Sequence, residues 1–291
     1  MTDTTDLDST DLDIARIAAS GQVPPPLVMA ARTRRWGVLY YAETYLRGER
    51  AYLSTVLINA IGTPLLYMLA MGVGLGGLLD RTGTTVDGVS YLVFVAPAIM
   101  VATASQGAFG ESTYPIMGGF KWHRTYYGPA ATPMDPAQIA WGHILGVTLR
   151  FVMQSVIFWV IMLVFGAAPS GWSWVSIPIA ALTALAVACP MQAYAATLEN
   201  EGAQFVTVQR FVLMPMFLFS GTFYALESMP IYLQWIGWIS PLWHGAQLAR
   251  IASYGMSEPL WLSLVHVVVL VGMVAVGGAM AGRTYRRRLW S

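Results

Sequence analysis

The sequence is poor in charged residues and contains a single cysteine. Only 11% of its 291 residues are charged and 56% are hydrophobic, whereas soluble domains carry about 25% charged residues. A soluble chain of this composition would lack polar side chains to cover its surface, so we predict an integral membrane protein. The single cysteine, Cys189, excludes an intramolecular disulfide and a multi-cysteine metal site. Its apolar surroundings indicate a buried side chain rather than a reactive thiol.

Signatures of nucleotide binding and of catalysis are missing as well. The chain has no G-x-x-x-x-G-K-[ST] phosphate loop, no G-x-S-x-G nucleophile motif and no H-E-x-x-H metal motif. Gly72, Gly74 and Gly77 fit G-x-G-x-x-G, but no predicted strand precedes them and no acidic residue follows at about 20 positions. These glycines end an apolar segment, where glycine permits close helix packing or a turn.

The histidines do not suggest a metal or catalytic site. Their spacing places none of them beside another as a metal ligand, and they are His123, His143, His244 and His266. His266 lies among valines in the last apolar segment, and we interpret it as a packed polar group that faces the helix bundle. The sequence therefore predicts no catalytic, cofactor or metal site on this chain.

Six apolar segments are long enough to cross a bilayer as helices, which takes about 20 residues. They cover residues 54–79, 91–113, 137–165, 174–198, 205–223 and 260–282. The connections alternate between rich and poor in arginine and lysine, and basic residues stay in the cytoplasm. We therefore predict a multi-pass protein of the inner membrane of a bacterium, with both termini cytoplasmic.

Two cytoplasmic segments precede the first span. Residues 1–33 begin with an aspartate- and threonine-rich stretch that has no signal-peptide pattern, and we predict a disordered acidic tail. Residues 34–50 carry arginine at both ends and aromatic residues between them, which is typical of an amphipathic helix on the membrane surface. The alternative is a basic flank that only orients the first span. The transmembrane domain is then residues 34–288.

The loop between spans two and three combines basic, aromatic, glycine and proline residues over positions 114–136. It is longer than a simple connection needs, and we predict a short helix over residues 120–127. Exposed tryptophan, tyrosine and arginine are enriched at protein–protein contacts. We interpret five residues as a docking element for a cytoplasmic partner, with simple anchoring of the loop as the alternative. They are Phe120, Lys121, Trp122, Arg124 and Tyr126.

Three charged residues fall within the bounds of the predicted spans, and one of them, Arg210, only enters the start of the fifth span. Arg150 belongs to the third span and Glu111 lies near one end of the second, although a charge there costs about 2.5–3.5 kcal/mol on insertion scales. Three interpretations of Arg150 stay open. The side chain snorkels to the headgroups, pairs with Glu111 or Glu199 to hold spans together, or touches an anionic substrate.

The segment from Met214 to Arg250 is the most distinctive part of the chain. An apolar run ends at Ser220-Gly221, and Met229-Pro230 and Ser240-Pro241 then flank an aromatic stretch. Aromatic side chains favour the headgroup level, and broken helices persist in a bilayer only where protein or water covers the freed backbone. We therefore predict a re-entrant helical hairpin between spans five and six.

The same segment resembles the membrane permease subunits of type-2 ABC transporters, the class of drug, polysaccharide and nodulation-factor exporters. The basic loop and the six-span topology support the resemblance, which covers about residues 35 to 288. Tyr224-Ala225 and Ser240 stand where many family members have a proline and an asparagine. The motif is Pro215, Ser220-Gly221-Thr222-Phe223, Met229-Pro230, Leu233, Trp235 and Ser240-Pro241-Leu242-Trp243-His244 up to Arg250, with Pro133-x-x-Pro136 in the loop.

The resemblance implies partners and a mechanism. The permease forms a homodimer, and substrate passes outward between the copies along spans one, two and five. Two cytoplasmic ABC ATPase subunits, which carry the ATP and magnesium, dock on the loop and the surface helix. The hairpin forms an outer gate. Its predicted residues are Phe223, Tyr224, Pro230, Trp235, Pro241 and Trp243.

Depth and polarity in the spans suggest residues that line the pathway. They are Asn59, Gln106, Met214 and Phe217. For Asn59 and Gln106, a structural hydrogen bond between helices is an equal alternative.

The predicted function is an all-α ABC exporter permease for a lipid-like, glycolipid or amphipathic drug-like substrate, in contact with membrane lipid and not with nucleic acid. One alternative is a proton-coupled secondary transporter, which needs intramembrane acids and an internal repeat. The other is a membrane-embedded lipid or sugar transferase, which needs clustered acids or histidines at one membrane face.

Overall fold

The computed structural model describes residue 20 and residues 25–83, 85–200 and 202–290. These residues form helices and connections, and their only strand-like feature is the isolated bridge between Val86 and Val89. Five helical segments in the described ranges are long and apolar enough to cross a membrane. The predicted all-α membrane fold is confirmed.

The α-helices of the described residues follow one another with short 3-10 and π-helical segments between some of them. They are α1 (Pro26–Glu49), α2 (Leu53–Tyr67), α3 (Gly77–Arg81), α4 (Tyr91–Glu111), α5 (Tyr114–Phe120), α6 (Tyr127–Ala130), α7 (Pro136–Val164), α8 (Ser176–Ala195), α9 (Gln204–Val208), α10 (Met214–Phe219), α11 (Ile231–Ile239), α12 (Pro241–Tyr254) and α13 (Leu260–Leu289).

The first helix begins earlier than predicted. Pro26 occupies its first turn, where the missing N–H would have no helical partner in any case. Residues 26–33 are therefore helical, and the prediction that they belong to a disordered tail is wrong. The earlier part of the predicted tail lies outside the described residues, apart from Ser20.

Helix α1 is docked on α7 through two glycines. A Cβ atom on Gly142 would lie 2.6 Å from Cβ of Tyr41, and one on Gly146 would lie 2.4 Å from Cδ1 of Tyr45. Small residues let helix backbones approach closely, so these glycines accept the two tyrosines. Trp36 stays exposed. The predicted surface helix thus exists and packs on the bundle, and its depth in the membrane stays a prediction.

The first predicted span is a helical segment with a change of pitch. A π-helical stretch, Met68–Gly76, joins α2 to α3. Gly72 is buried against α4, because a Cβ there would lie 2.3 Å from Cδ1 of Leu92. Of the three glycines of the G-x-G-x-x-G match, Gly72 therefore serves helix packing, whereas Gly74 is exposed and nothing lies within 4 Å of the Cβ position of Gly77.

The fifth predicted span is shorter than the others. Its apolar helix is Gln204–Phe219, whereas a straight crossing takes about 20 residues. A π-helical stretch, Gln209–Leu213, comes directly before Pro215. Proline cannot donate the helical hydrogen bond, and a π-bulge absorbs such an irregularity. Five of the six predicted spans therefore overlap long apolar helices of the structure. The remaining one, the fifth along the chain, corresponds to a shorter helix.

Helix α8 lies at the centre of the bundle and contacts α4, α7, α12 and α13. Its buried face is made largely of small side chains, including Ala180, Ala184 and Ala188. Cys189 is also fully buried, which confirms its interpretation as a core residue. Small side chains allow the backbones of neighbouring helices to approach α8 closely.

The contact between α13 and α8 gives a first prediction. A Cβ on Gly277 would lie 2.5 Å from the backbone nitrogen of Pro190, and a backbone atom cannot swing aside. We expect Gly277→Ala to lower the free energy of unfolding by about 1–3 kcal/mol, measured by thermal unfolding of the purified chain in detergent. Gly272→Ala is the matched control on the same helix, because nothing lies within 4 Å of its Cβ position. Equal melting temperatures for the two variants would contradict the prediction.

Candidate functional site

The loop predicted to dock a partner is a compact turn. Helix α5 ends at Phe120 and α6 begins at Tyr127, so the predicted helix over residues 120–127 is wrong. Arg124 has φ of 52°, a left-handed conformation that interrupts a right-handed helix. The amide of His123 donates to the carbonyl of Gly118 at 2.8 Å, which closes the turn.

Two of the five predicted docking residues are buried anchors. Phe120 and Tyr126 are each 2% exposed, and their ring centroids lie 4.8 Å apart. Both rings pack on Tyr285 of α13, at 4.8 and 5.2 Å. Gly119 makes room for this packing, because a Cβ there would lie 2.2 Å from the ring of Tyr126. Phe120 and Tyr126 therefore fix the turn to the bundle, and their assignment to the docking surface is corrected.

The other three residues lie at the surface. Lys121 and Arg124 are exposed, and Trp122 is 44% exposed. The indole of Trp122 is stacked on Tyr114, with centroids 6.4 Å apart and planes at 16°. The guanidinium of Arg124 lies 5.9 Å from the ring of Tyr127. The exposed part of the predicted docking element is thus Lys121, Trp122 and Arg124, and its contact with a partner stays a prediction.

The start of α7, which follows the turn, is joined to α1 and α13 by polar contacts that the sequence did not reveal. Asp135 caps α7 by accepting from the amide of Ala137 at 2.7 Å, and Arg286 donates from Nε to Asp135 Oδ1 at 2.9 Å. The side chain of Gln138 donates to the carbonyl of Arg34 at 2.7 Å. A cleft of about 400 Å³ lies among these groups. The loop, α1 and the end of α13 therefore form one continuous face.

Arg150 is held by two carboxylates. Its Nη1 lies 2.6 Å from Glu111 Oε1 and 2.9 Å from Glu49 Oε2, and the hydroxyl of Tyr45 donates to Glu111 Oε2 at 3.0 Å. Of the three interpretations, pairing with Glu111 is confirmed. The sequence did not predict Glu49 as a partner of Arg150, because Glu49 reaches Arg150 only when α1 docks on α7. Burial raises the pKa of the Glu49 carboxyl, Arg150 opposes the rise, and Glu111 adds to it.

The segment after α10 contains the predicted pair of helices, α11 and α12. Ser240 separates them, and its side chain accepts from the amide of Leu242 at 3.2 Å as the N-cap of α12. The hydroxyls of Ser220 and Ser240 are also hydrogen-bonded at 2.7 Å. Serine caps a helix about as well as asparagine, so this departure from the family pattern keeps the capping role. The re-entrant position of the pair in the bilayer stays a prediction.

The six predicted gate residues fall into different environments. Pro230 and Trp235 are exposed, and Pro241 and Trp243 are buried. The remaining two, Phe223 and Tyr224, are partly buried, and each takes part in a hydrogen bond: the hydroxyl of Tyr91 donates to the carbonyl of Phe223 at 3.0 Å, and the hydroxyl of Tyr224 donates to the carbonyl of Leu218 at 2.8 Å.

Two cavities flank the pair of helices α11 and α12. An apolar groove of about 760 Å³ is lined by Trp235 and Pro241 together with Met191, Phe211 and Met273. A second cavity of about 570 Å³ has a mainly polar lining, and its charged residues are Asp87, Glu227, Arg250 and Glu258. The structure thus places an apolar and a polar recess beside the same predicted gate.

Arg250 closes the family-like motif and acts as a buried clamp. Its side chain is 2% exposed, and Nη2 donates to the carbonyl of Gly221 at 2.6 Å. Nε donates to the carbonyl of Phe94 at 3.3 Å, and the guanidinium lies 3.8 Å from the centre of the Phe94 ring. One side chain therefore joins α12 to α4 and to the turn after α10.

The predicted pathway residues differ in solvent exposure. Asn59 and Met214 are exposed on this single chain, and Gln106 and Phe217 are partly buried. Phe217 packs edge-on against Phe223 with centroids 5.1 Å apart. Their role in lining a pathway stays a prediction.

Two histidines are neighbours in space. Nδ1 of His244 lies 2.6 Å from Nδ1 of His266, although the residues are 22 positions apart. The spacing of the histidines in the sequence did not indicate this contact, because it arises only when α12 packs on α13. The interpretation of His266 as a buried polar group that faces the bundle is confirmed.

Comparison with known proteins agrees with these features. Residues 48–254 match the family described as ABC-2 type transporter. The chain is 26% identical over 249 residues to Nodulation protein J of Rhizobium leguminosarum bv. viciae, covering 86% of this chain and 93% of that protein. It is 26% identical over 268 residues to Nodulation protein J of Rhizobium meliloti, covering 90% and 97%. For Nodulation protein J of Bradyrhizobium diazoefficiens the identity is 27% over 227 residues, covering 77% and 82%.

The matched region includes the predicted docking turn, Arg150 with Glu49 and Glu111, and both helices of the predicted gate. Together with the long apolar helices, this match shows that the chain belongs to the ABC-2 type transporter family, as a multi-pass membrane permease subunit of a bacterial membrane.

Proposed function

We propose that the chain is the membrane subunit of an ATP-driven exporter in the bacterial inner membrane. It works as a homodimer and receives one cytoplasmic ABC ATPase subunit on each copy. The ATPase binds ATP and magnesium, and this chain supplies the route across the membrane. The observation that carries the proposal is the turn whose exposed Lys121, Trp122 and Arg124 are fixed to the bundle by buried Phe120 and Tyr126.

The anchoring of this turn suits the transmission of force. A partner that pulls on Trp122 also pulls on the neighbouring aromatic cluster, which includes Tyr285 of α13. The ion pair between Arg286 and Asp135 adds a link between α13 and the start of α7. Packed helices move as rigid elements, so a shift at the turn is passed to α7 and α13 rather than absorbed locally.

The distribution of charge supports a cytoplasmic position for the turn and for both termini. The guanidinium of Arg288 lies 4.3 Å from the ring of Phe120, so the basic end of α13 and the docking turn share one end of the bundle. Arg34 of α1 lines the cleft at this end. Arginine-rich ends face the cytoplasm, and the α11–α12 pair then faces outward.

The cavities beside α11 and α12 support an amphipathic substrate. The apolar groove around Trp235 suits an alkyl chain or an aromatic ring, and the polar cavity around Arg250 suits a hydrophilic headgroup. A lipid, a glycolipid or an amphipathic drug carries both parts.

The proposal is tested in inside-out proteoliposomes that contain a fluorescent phospholipid. With a co-expressed ABC ATPase, the chain should move the lipid only when ATP and magnesium are supplied, and the chain alone should neither bind nor hydrolyse ATP. Transport by the chain alone in an imposed pH gradient would support a proton-coupled secondary transporter instead. Conversion of a lipid donor by the isolated chain would support a transferase.

A further inference from the structure

Three buried titratable side chains form a hydrogen-bonded chain between α12 and α13. Nε2 of His244 lies 3.1 Å from the carbonyl oxygen of Trp238, and the two Nδ1 atoms of His244 and His266 lie 2.6 Å apart. Nε2 of His266 lies 3.1 Å from Oε1 of Glu258, whose Oε2 accepts from the hydroxyl of Ser263 at 3.0 Å. The side chains of His266 and Glu258 are 0% and 5% exposed. We call these three residues the His–His–Glu relay.

The number of hydrogens in this relay follows from its geometry. Three contacts join Trp238, His244, His266 and Glu258 in a row, and each contact needs one hydrogen between its two heavy atoms. A carbonyl and a carboxylate only accept, and a neutral imidazole carries a single N–H. Two neutral histidines supply two hydrogens, so the third must be an additional proton. This conclusion holds whether that proton resides on His244, His266 or Glu258.

We propose that the His–His–Glu relay is a proton-binding site that holds α12 against α13, and that loss of its proton weakens this contact. Without the third hydrogen, two lone pairs face each other at one of the three contacts: between His244 and the carbonyl of Trp238, between the two histidines, or between His266 and Glu258. Leaving a buried acceptor without a donor is unfavourable. The proposal goes beyond transport, because it assigns a pH response to the predicted gate.

The charged and titratable groups around the relay lie on several elements. Glu258 lines the polar cavity of about 570 Å³, together with Asp87 from the connection before α4, Glu227 from the segment before α11, and Arg250 and Tyr254 of α12. The carboxylates of Asp87 and Glu227 favour retention of the proton, and the guanidinium of Arg250 disfavours it.

The sign of the pH dependence follows from linkage. The folded relay holds the additional proton, whereas histidine and glutamate in an unfolded chain lose theirs above about pH 6.5. Below about pH 6.5 the two histidines of the unfolded chain bind two protons and the folded relay holds only one, so there the relay's contribution to stability rises with pH. The contribution is largest near pH 6.5 and is lost as the pH rises from there through the titration of the bound proton. Over that range the unfolding equilibrium changes by up to about tenfold per pH unit for a single proton.

The test is the thermal unfolding of the purified full-length chain in detergent as a function of pH. Wild-type protein should show a one-proton decrease in stability on raising the pH above about 6.5. In Glu258→Gln the side-chain amide donates a hydrogen to His266 without an additional proton, so this step should disappear. Glu227→Gln is the matched control, because Glu227 lines the same cavity outside the relay, and it should retain the step. A step that survives in Glu258→Gln, or that is lost in Glu227→Gln, would overturn the proposal.

A local signal keeps the test decisive if Glu258→Gln folds poorly. The indole of Trp243 packs on both imidazoles, at 5.1 Å from His244 and at 4.8 Å and 89° from His266. A change of charge on these rings should alter its fluorescence at the same pH. The wild-type emission step should be absent in Trp243→Phe and present in Trp261→Phe, whose indole is exposed at the start of α13. Absence of any step assigned to Trp243 contradicts the relay.

Discussion

Replacing Lys121, Trp122 and Arg124 together by alanine should abolish co-purification of the permease with a co-expressed ABC ATPase. Interface tryptophans and arginines at hot spots each contribute about 2 kcal/mol or more to binding, and each 1.4 kcal/mol is about tenfold in affinity. Loss of a single such residue would weaken the complex roughly thirtyfold. The amount of ATPase retained with the tagged permease, and the ATPase rate of the eluted complex, measure the effect.

The structure also determines which residues this experiment must leave intact. Phe120 and Tyr126 are buried against Tyr285, so their replacement would loosen the turn itself and confuse docking with folding. The matched control is the double change Trp172→Ala and Trp174→Ala, which removes two exposed aromatic residues from the connection before α8. This control should retain the ATPase. If the triple variant retains it equally well at an unchanged melting temperature, the docking surface is assigned wrongly.

Replacing Arg250 by methionine should prevent the chain from reaching a stable fold. The change removes the donor from the carbonyls of Gly221 and Phe94, which lie on two separate segments. Hydrogen bonds to a charged group contribute about 1.5–3 kcal/mol each, and the contributions are not additive, so we expect a loss of about 3–5 kcal/mol. The yield of monodisperse protein and its thermal unfolding in detergent measure this loss.

Two further variants separate the geometry of Arg250 from its charge. Lysine keeps the positive charge but lacks the planar fork of donors, so Arg250→Lys should restore stability only in part. Arg287→Met is the control, because Arg287 is exposed in the last turn of α13, and it should match the wild type. Full stability of Arg250→Met would show that the buried guanidinium does not hold α12 to α4.

Predictions that rest on composition and on local pattern agree best with the structure. Apolar length predicted five of the spans to within a few residues, because a helix must supply about 20 apolar residues to cross a bilayer wherever it packs. The breaks at Ser220-Gly221 and Ser240-Pro241 likewise indicated the ends of α10 and α11, since glycine adopts positive φ readily and proline ends or starts helices by its own covalent geometry. The ordered motif up to Arg250 indicated the family for the same local reason.

Predictions that need contacts between distant segments were incomplete or wrong. The prediction of a helix over residues 120–127 failed because Tyr285, more than 150 positions away, draws Phe120 and Tyr126 into the core and the chain turns through Arg124. The histidine pair was missed because 22 residues separate its members. Glu49 was missed as a partner of Arg150 because nothing in local sequence shows that Gly142 and Gly146 bring α1 onto α7.

The amino-acid sequence alone determined that this protein is all-helical and membrane-embedded, since hydropathy, charge asymmetry and proline placement act over a few residues. Its resemblance to a known permease family indicated the transport role. Only the tertiary structure decided which polar side chains meet. Arg250 reaches Gly221 and Phe94, Arg150 reaches Glu49, and His244 reaches His266 because small residues such as Gly146 and Gly277 let whole helices approach. The close approach of two helices depends on the side chains of both, so the sequence of one segment alone does not predict it.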